Sequence, residues 1–306
     1  MEDKILKGII MTSVGGRYNV RITSAGADGF TVKNIPARGV FRNKKITPLC
    51  ADRVEVKKNA DGYCIFAVEE RKNELIRPPL ANLDLLYIVA SVKDPDMTEG
   101  FADKLTVLCE KNGIKPVIVM TKSELDRTAA AKTVSMYKET GYDAFAVSSV
   151  TGEGVEELLS HIKGQTGCVS AFCGVSGAGK STLLNTLFPG LGCETGQISE
   201  KIRRGKNTTR RVTLFEIENG TYIADTPGFS LLDFVRFDFC TKEELPYLFP
   251  EFEPYLCKCR YTKCSHTKED GCLIREAVAE GKIPESRYAS YLSIYEDVKD
   301  KKEWMK

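Results

Sequence analysis

Over residues 1–75, apolar and polar positions alternate in short runs broken by turn residues. Ile5-Leu6-Lys7-Gly8-Ile9-Ile10, Gly15-Gly16 and Arg17-Tyr18-Asn19-Val20-Arg21-Ile22 read as strand, turn, strand. Gly29–Val32, Arg53–Val56 and Tyr63–Phe66 continue the series. Five or so strands at this spacing predict a small barrel of the OB-fold or SH3-like kind. The period then changes. Leu85–Ala90 and Pro116–Met120 are continuous apolar runs, as strands buried on both faces require, and Phe101–Asn112 between them has helical spacing. Ala144–Val147 and Val169–Cys173 extend the alternation, which predicts a doubly wound α/β domain with a mainly parallel sheet. From about Asp238 the strands stop and cysteines cluster. The end is helical, with Pro284 near a helix start and Tyr288, Tyr291, Leu292 and Tyr295 on one apolar stripe. The expected division is a barrel over 1–72, an α/β nucleotide domain over 73–236 and a Cys-rich helical module over 237–306. The charged stretch Arg71–Pro79, ending in Pro-Pro, reads as the first linker.

Gly174-Val175-Ser176-Gly177-Ala178-Gly179-Lys180-Ser181, followed by Thr182, has the P-loop spacing G-x4-G-K-S. Its glycines let backbone N–H groups converge on phosphate oxygens, and the helix that follows adds its dipole. Lys180 supplies charge at the β and γ phosphates and the Ser181 hydroxyl is expected to ligate Mg²⁺. An apolar strand before the loop and Thr182–Leu187 after it give the required strand–loop–helix context. Downstream, Tyr222-Ile223-Ala224 runs into Asp225-Thr226-Pro227-Gly228. Asp225 stands where a nucleotide hydrolase needs a carboxylate for its Mg²⁺ shell, and the Gly228 amide can sense a γ-phosphate. Between the two motifs lie Thr208 and Thr209. Thr209, immediately before Arg210, is the expected switch residue and a second Mg²⁺ ligand.

Guanine-reading loops usually follow the phosphate motifs. None does so here; both candidates precede them, each at the end of an apolar strand. Thr121-Lys122-Ser123-Glu124 follows Val117–Met120, and Ser148-Ser149 follows Ala144–Val147. Base loops first and phosphates second is the order of a circularly permuted GTPase. A carboxylate accepts two hydrogen bonds, and guanine offers paired donors at N1 and N2 where adenine does not. Glu124 supplies that carboxylate, one methylene longer than the usual aspartate, and Lys122 is expected to lie along the base plane.

Composition narrows the classes further. With 42% apolar and 28% charged residues in 306, the chain is an ordinary globular sequence of about two to three domains. Forty-four Lys and Arg against 42 Asp and Glu exclude a polycation, yet between Arg17 and Lys58 there are ten basic residues and three acidic ones. That basic run on a barrel type that holds nucleic acid, with Tyr18 and Phe41 for stacking, points to RNA. No apolar run approaches the ~18–20 residues of a membrane span, and Met1-Glu2-Asp3-Lys4 begins no secretory signal, so a cytoplasmic protein without membrane contact is expected. Of eleven cysteines, Cys50, Cys64, Cys109, Cys168, Cys173, Cys193 and Cys240 are scattered and read as core thiols. Cys259-x4-Cys264-x-His266-x5-Cys272 instead offers three thiolates and an imidazole, a closed tetrahedral set for one structural Zn²⁺. Cys257 is a fifth candidate and a redox pair is the competing reading. The other histidine, His161, reads as a bystander on a helix.

A basic barrel, a permuted GTPase and a Cys-His module in this order closely resemble the ribosome small-subunit-dependent GTPase family (RsgA, also called YjeQ). The resemblance extends over almost the whole chain, through Arg71–Pro79, the P-loop, Asp225-Thr226-Pro227-Gly228-Phe229 and Cys259, Cys264, His266 and Cys272. It implies an N-terminal OB-fold, a P-loop GTPase with permuted motifs and a zinc-binding helical module. It further implies a maturation factor of the 30S subunit that binds 16S rRNA and GTP or GDP, whose hydrolysis the subunit stimulates. A monomer is the simplest assembly. Two positions depart from the family pattern: Asn207 replaces the usual His before the switch threonines, and Glu124 the usual Asp. Phe229 stands near where a Ras-like enzyme carries its water-orienting Gln, which predicts slow intrinsic hydrolysis. A nucleotide-regulated RNA-binding adaptor with little turnover and an ATP-dependent RNA remodeller are the rival readings.

Overall fold

The computed structural model describes residues 5–24, 29–39, 41, 46–59, 62–75, 79–95, 100–189, 212–217, 220–225 and 240–300. Arg42–Lys45, Cys193, Asn207, Thr208, Thr209 and Thr226–Phe229 lie outside these. The chain packs as two compact units, one of residues 1–85, 162–172 and 199–229, the other of 86–161, 173–198 and 230–306.

In the first unit, β1 (Leu6–Val14), β2 (Arg17–Ile22), β3 (Thr31–Pro36), β4 (Arg53–Asn59) and β5 (Gly62–Val68) form an antiparallel barrel. β1 pairs with β2 and β4, β2 with β3, and β4 with β5. A bridge from Ala37 to Ile65 closes the ring, giving the order β1-β2-β3-β5-β4. The β1–β2 hairpin turns at Gly15 and Gly16, both with φ above zero, as a tight turn with this twist needs. Alternation on β2 sends Tyr18, Val20 and Ile22 inward, where they join Ile10, Ile35, Phe41, Val54, Val56 and Ile65. Tyr18 and Phe41 are therefore core residues, 5% and 6% exposed, and are not available for stacking on nucleic acid. In the same unit β11 (Val169–Gly174) pairs in parallel with β13 (Tyr222–Asp225), and β12 (Thr213–Glu216) runs antiparallel to β13 and meets β1 at Thr12.

Arg71–Leu75, the described start of the expected linker, is fastened at several points. Glu74–Leu75 (β6) pairs antiparallel with Leu80–Ala81 (β7). Arg71 lays its fork on both oxygens of the fully buried Asp52 at 2.8 Å each and donates to the Thr47 carbonyl at 2.7 Å. A buried carboxylate needs such a partner, and pinning it fastens the segment to the barrel.

The second unit holds β8 (Leu85–Ser91), β9 (Lys115–Thr121) and β10 (Asp143–Ala146), with β9 and β10 parallel in register from Asp143↔Val117 to Ala146↔Met120. Every residue of β8 is buried, as a strand covered on both faces demands. Among the described residues its helices are α1 (Phe101–Lys111), α2 (Arg127–Glu139), α3 (Val155–Lys163), α4 (Lys180–Leu187), α5 (Leu273–Ala279) and α6 (Glu285–Val298). Asp126 caps α2, accepting from Ala129 N–H at 3.0 Å. His161 lies on α3 between the Tyr87 hydroxyl (3.2 Å) and Asp143 (3.4 Å), a structural position. The C-terminal segment has its own core, where Phe249, Phe252 and Tyr291 stack around Leu245, Ile274 and Ile294.

Beneath that core lies a feature with no sequence signal. Arg287, on α6, is completely buried and forks onto Glu251 (2.6 and 3.2 Å) while donating to Asp103 of α1 at 2.5 Å. Thr106 (3.2 Å) and the Tyr142 hydroxyl (3.5 Å) complete its shell, and the guanidinium lies 4.7 Å from the Phe249 ring centre. Burial alone would discharge it; the two carboxylates hold it charged.

Candidate functional site

The phosphate loop leaves β11 at Gly174 and enters α4 at Lys180. Gly174 is required by space: a Cβ there would lie 2.4 Å from the Val89 carbonyl oxygen. Gly177 and Gly179 are required by conformation, with φ of +85° and +80°. Left-handed glycines turn successive N–H groups to one side, the concave geometry that receives an anion. Ala178 N–H closes back on Val175 at 3.2 Å and Leu183 N–H on Gly179 at 2.8 Å, which folds the loop into the start of α4. Ser176 and Thr182 are exposed, Lys180 and Ser181 half-buried, and Ala178 fully buried. The Cys173 thiol before the loop is pushed up by burial and stays neutral, so the cation of Lys180 meets no competing thiolate.

The first base loop reaches this cradle directly. The Thr121 hydroxyl at the end of β9 donates to the Ala178 carbonyl at 2.6 Å, with Ala90 O at 3.2 Å. A buried side chain thus ties the two sequence-predicted motifs together across 57 residues. Lys122 adopts a left-handed φ of 55° and hydrogen-bonds the Asp94 carbonyl through Nζ. Glu124 Oε2 and Ser123 Oγ are buried without a hydrogen-bond partner. A buried carboxylate oxygen without a donor is costly, and paired N–H donors such as guanine's would satisfy it.

The second loop divides its two serines between separate tasks. Ser148 is fully buried and spends its groups within the loop: its N–H on Glu153 O (2.9 Å), its hydroxyl accepting from Thr151 N–H (3.0 Å) and its carbonyl from Gly152 N–H (2.9 Å). Ser149 is half-buried at the rim. The sequence reading missed Gly154, where a Cβ would stand 2.0 Å from the Ala146 carbonyl; its signal was a Gly two residues after Gly152. Asp225 ends β13, its backbone in register with Thr213.

In the Cys-rich module, one donor atom from each of Cys259, Cys264, His266 and Cys272 lies within 4.8 Å of all the others, a group that could hold a metal ion. His266 Nδ1 is 3.4 Å from Cys272 Sγ and 3.7 Å from Cys259 Sγ. Cys257 lies outside the group; it is exposed, with its sulfur 3.6 Å from the Tyr247 hydroxyl. Burial, with Cys272 and Cys259 alongside, pushes the Cys264 thiol up to about 12, and burial holds His266 neutral. Three crowded thiols and a neutral imidazole are a donor set that ionises around a soft or borderline cation. Tyr288 and Tyr291, read from sequence as an apolar stripe, donate to the His266 (2.8 Å) and Ser265 (2.6 Å) carbonyls and hold the loop to α6. Glu269 accepts from Ser265 N–H and hydroxyl, Thr267 N–H and Lys268 N–H. Of the scattered cysteines, Cys50, Cys109, Cys173 and Cys240 are buried as expected, while Cys64 and Cys168 are only half-buried.

Among the described residues no helix is long and apolar enough to cross a membrane. The family model described as RsgA GTPase matches residues 68–235, and that of the RsgA N-terminal domain matches 7–65. The small ribosomal subunit biogenesis GTPase RsgA of Geobacillus sp. (strain WCH70) is 44% identical over 271 residues, 87% of this chain and 90% of its own. That of Bacillus cereus (strain ATCC 10987 / NRS 248) is 40% identical over 302 residues, 97% and 98% of the two chains. The crystal structure of YjeQ from Thermotoga maritima superposes with a TM-score of 0.82 at 31% identity, covering 98% of this chain and all of that one. YloQ, a circularly permuted GTPase, gives 0.79 at 32% identity over 98% and 96%.

Proposed function

From the premise that this chain belongs to the RsgA GTPase family and is a GTP hydrolase, we propose that it works in the cytoplasm, as a monomer, on the small (30S) ribosomal subunit. There it binds 16S rRNA, and its hydrolysis of GTP to GDP is switched on late in the subunit's assembly. The observation that supports the nucleotide part is the Thr121–Ala178 hydrogen bond, which joins the end of β9 to the Gly174–Lys180 loop. The partner part rests on the curated relatives, which are small-subunit biogenesis GTPases.

In this reading the backbone of Gly174–Thr182 binds the phosphates and Lys180 neutralises the charge that builds on the β and γ oxygens. Lys122 flanks the base and the unpartnered Glu124 oxygen reads its N–H donors. Mg²⁺ fits the hydroxyl of Ser181, with Thr209 and Asp225 assigned to it by motif spacing; when bound it supplies charge stabilisation to the transferring phosphoryl group. Zn²⁺ fits the Cys259, Cys264, His266 and Cys272 donors, and four protein ligands make the site structural. Gly228 is assigned to γ-phosphate sensing. Phe229 cannot orient water by hydrogen bonding, so the bound subunit completes the site and accelerates a slow intrinsic reaction, by ~10³–10⁵ in comparable systems.

The test is steady-state hydrolysis of GTP, with ATP alongside, in the presence and absence of 30S subunits. Strong stimulation by 30S that disappears in Lys180→Ala is expected. Tight GTP binding with no stimulation would overturn the proposal and favour an adaptor that does not turn over.

A further inference from the structure

The turn that follows β8 belongs to none of the sequence motifs, yet it touches both the base loop and the phosphate loop. Ser91, the last residue of β8, is fully buried, and its hydroxyl donates to the Pro95 carbonyl at 2.5 Å. That bond closes Ser91–Pro95 on itself. The turn is then fastened to the base loop at three points. Val92 N–H donates to the Thr121 carbonyl at 3.1 Å, Lys122 Nζ donates to the Asp94 carbonyl, and Lys93 Nζ lies 3.1 Å from Asp126 Oδ2. The phosphate loop stands on its other side, where a Cβ on Gly177 would lie 3.2 Å from Pro95 Cδ.

The backbone explains why the base loop needs this brace. Lys122 and Asp94 both have left-handed φ, 55° and 52°. A short polar side chain lets aspartate visit that region, whereas a lysine stays there only where its surroundings hold it. The Lys122 ammonium also ends a flexible four-carbon stem. Its hydrogen bond to Asp94 restricts that stem before a base arrives, and freedom already lost is not charged against binding. Lys93, Asp94 and Pro95 are exposed and Val92 is half-buried, so Ser91 is the buried side chain that sets the shape of the turn.

We infer that Ser91 is a positioning residue for nucleotide binding. By closing the Ser91–Pro95 turn it fixes Lys122 and seats Pro95 against Gly177, so the base loop and the phosphate loop hold one arrangement before GTP enters. The inference rests on the assignment of Lys122 to the base and goes beyond it by naming what holds that lysine. The base and the inner phosphates are common to GTP and GDP. Losing the turn therefore removes uniform binding, which raises KM and leaves kcat unchanged.

The test uses the full-length, metal-loaded protein. Calorimetry gives Kd for GDP and for a non-hydrolysable GTP analogue, with steady-state GTP hydrolysis alongside. Ser91→Ala should weaken both nucleotides about three- to tenfold, the scale of one hydrogen bond, with their ratio unchanged. KM for GTP should rise by the same factor while kcat stays within about twofold. Ser91→Thr, which keeps the donor, should recover most of the affinity. Pro95→Ala, at an exposed position, keeps the accepting carbonyl and removes the ring from Gly177; it should weaken binding by a similar factor, and it decides alone if Ser91→Ala does not fold. In a Lys122→Ala background the cost of Ser91→Ala should shrink to about twofold or less. Full additivity in that cycle would overturn the inference, as would wild-type affinity in both turn variants or a loss of kcat with KM unchanged. Lys122→Ala by itself separates the two levels. If it binds GTP as wild type does, the base assignment fails and takes the inference with it; if it weakens binding and the turn variants do not, only the role of the turn is refuted.

Discussion

Arg287→Met keeps most of the side chain's volume and removes its charge. Asp103 and Glu251 then share a pocket in which their side chains are 6% and 5% exposed, with no cation between them. At an effective dielectric near 20, each lost pair is worth about 4 kcal/mol of attraction at 4 Å. Much of that only offsets the desolvation of three charges, so the observable cost is that of stranding buried carboxylates, about 3–5 kcal/mol. The assay is native-state hydrogen exchange on the metal-loaded protein, following the slowest amides of α6 and of α1, which the network joins. At 1.36 kcal/mol per decade, they should exchange roughly 10²–10⁴ times faster. Adding Asp103→Asn and Glu251→Gln to Arg287→Met should restore most of the loss, because neutral amides in that pocket carry no charge to strand. A cost below about 1 kcal/mol for the single substitution would refute the reasoning.

Gly174→Ala forces a Cβ to 2.4 Å from the Val89 carbonyl, so the loop must shift; GTP affinity measured by calorimetry should fall at least about tenfold, with an overpacking cost of roughly 1–3 kcal/mol in unfolding. Glu269→Gln should loosen the metal loop by about 1–3 kcal/mol near neutrality. Burial raises the Glu269 carboxyl, but the Ser265 hydroxyl and N–H and the neighbouring backbone donors outweigh it and hold it at about 2. Its stabilisation is therefore complete above its usual value of 4.5 and is lost as pH falls towards 2, so the difference between Glu269→Gln and wild type in thermal unfolding should shrink across that window.

Much of the site was legible because its chemistry is local in sequence. A phosphate cradle needs its glycines, Lys and Ser within eight residues, and a knuckle for a metal needs its donors within one or two turns. Both motifs lay where periodicity placed a strand end or a strand-free stretch. The features that escaped are those whose partners are distant. Arg287 reads as one more solvated charge on a helix until Asp103, 184 residues earlier, is placed beside it. Arg71 reads as linker until Asp52 is found to be buried. Tyr18 and Phe41 read as stacking rings because they sit in a basic run, yet the period-two pattern of β2 puts Tyr18 on the face of Val20 and Ile22. Phe66, whose ring centre lies 4.5 Å from Arg38 Cζ and 4.0 Å from Lys57 Nζ, is the extra residue of a bulge between β4 and β5, and a bulge is set by register rather than by composition. The tyrosines of α6 read as an apolar stripe, of which only Tyr291 is buried, and only the fold shows that the Tyr288 and Tyr291 hydroxyls bond the His266 and Ser265 carbonyls.

The Arg287 network also sets a clock on biosynthesis. Asp103 leaves the ribosome first, and at about 5–20 residues per second the 184 residues to Arg287 take roughly 9–37 s. Through that interval α1 has to carry an acid whose final environment excludes water and holds no counter-charge yet, so its inner face stays wet. The nucleotide-binding half is thus denied its finished packing until almost the last helix has been made. A chain that stops short of Arg287 contains every nucleotide motif yet leaves Asp103 without this counter-charge.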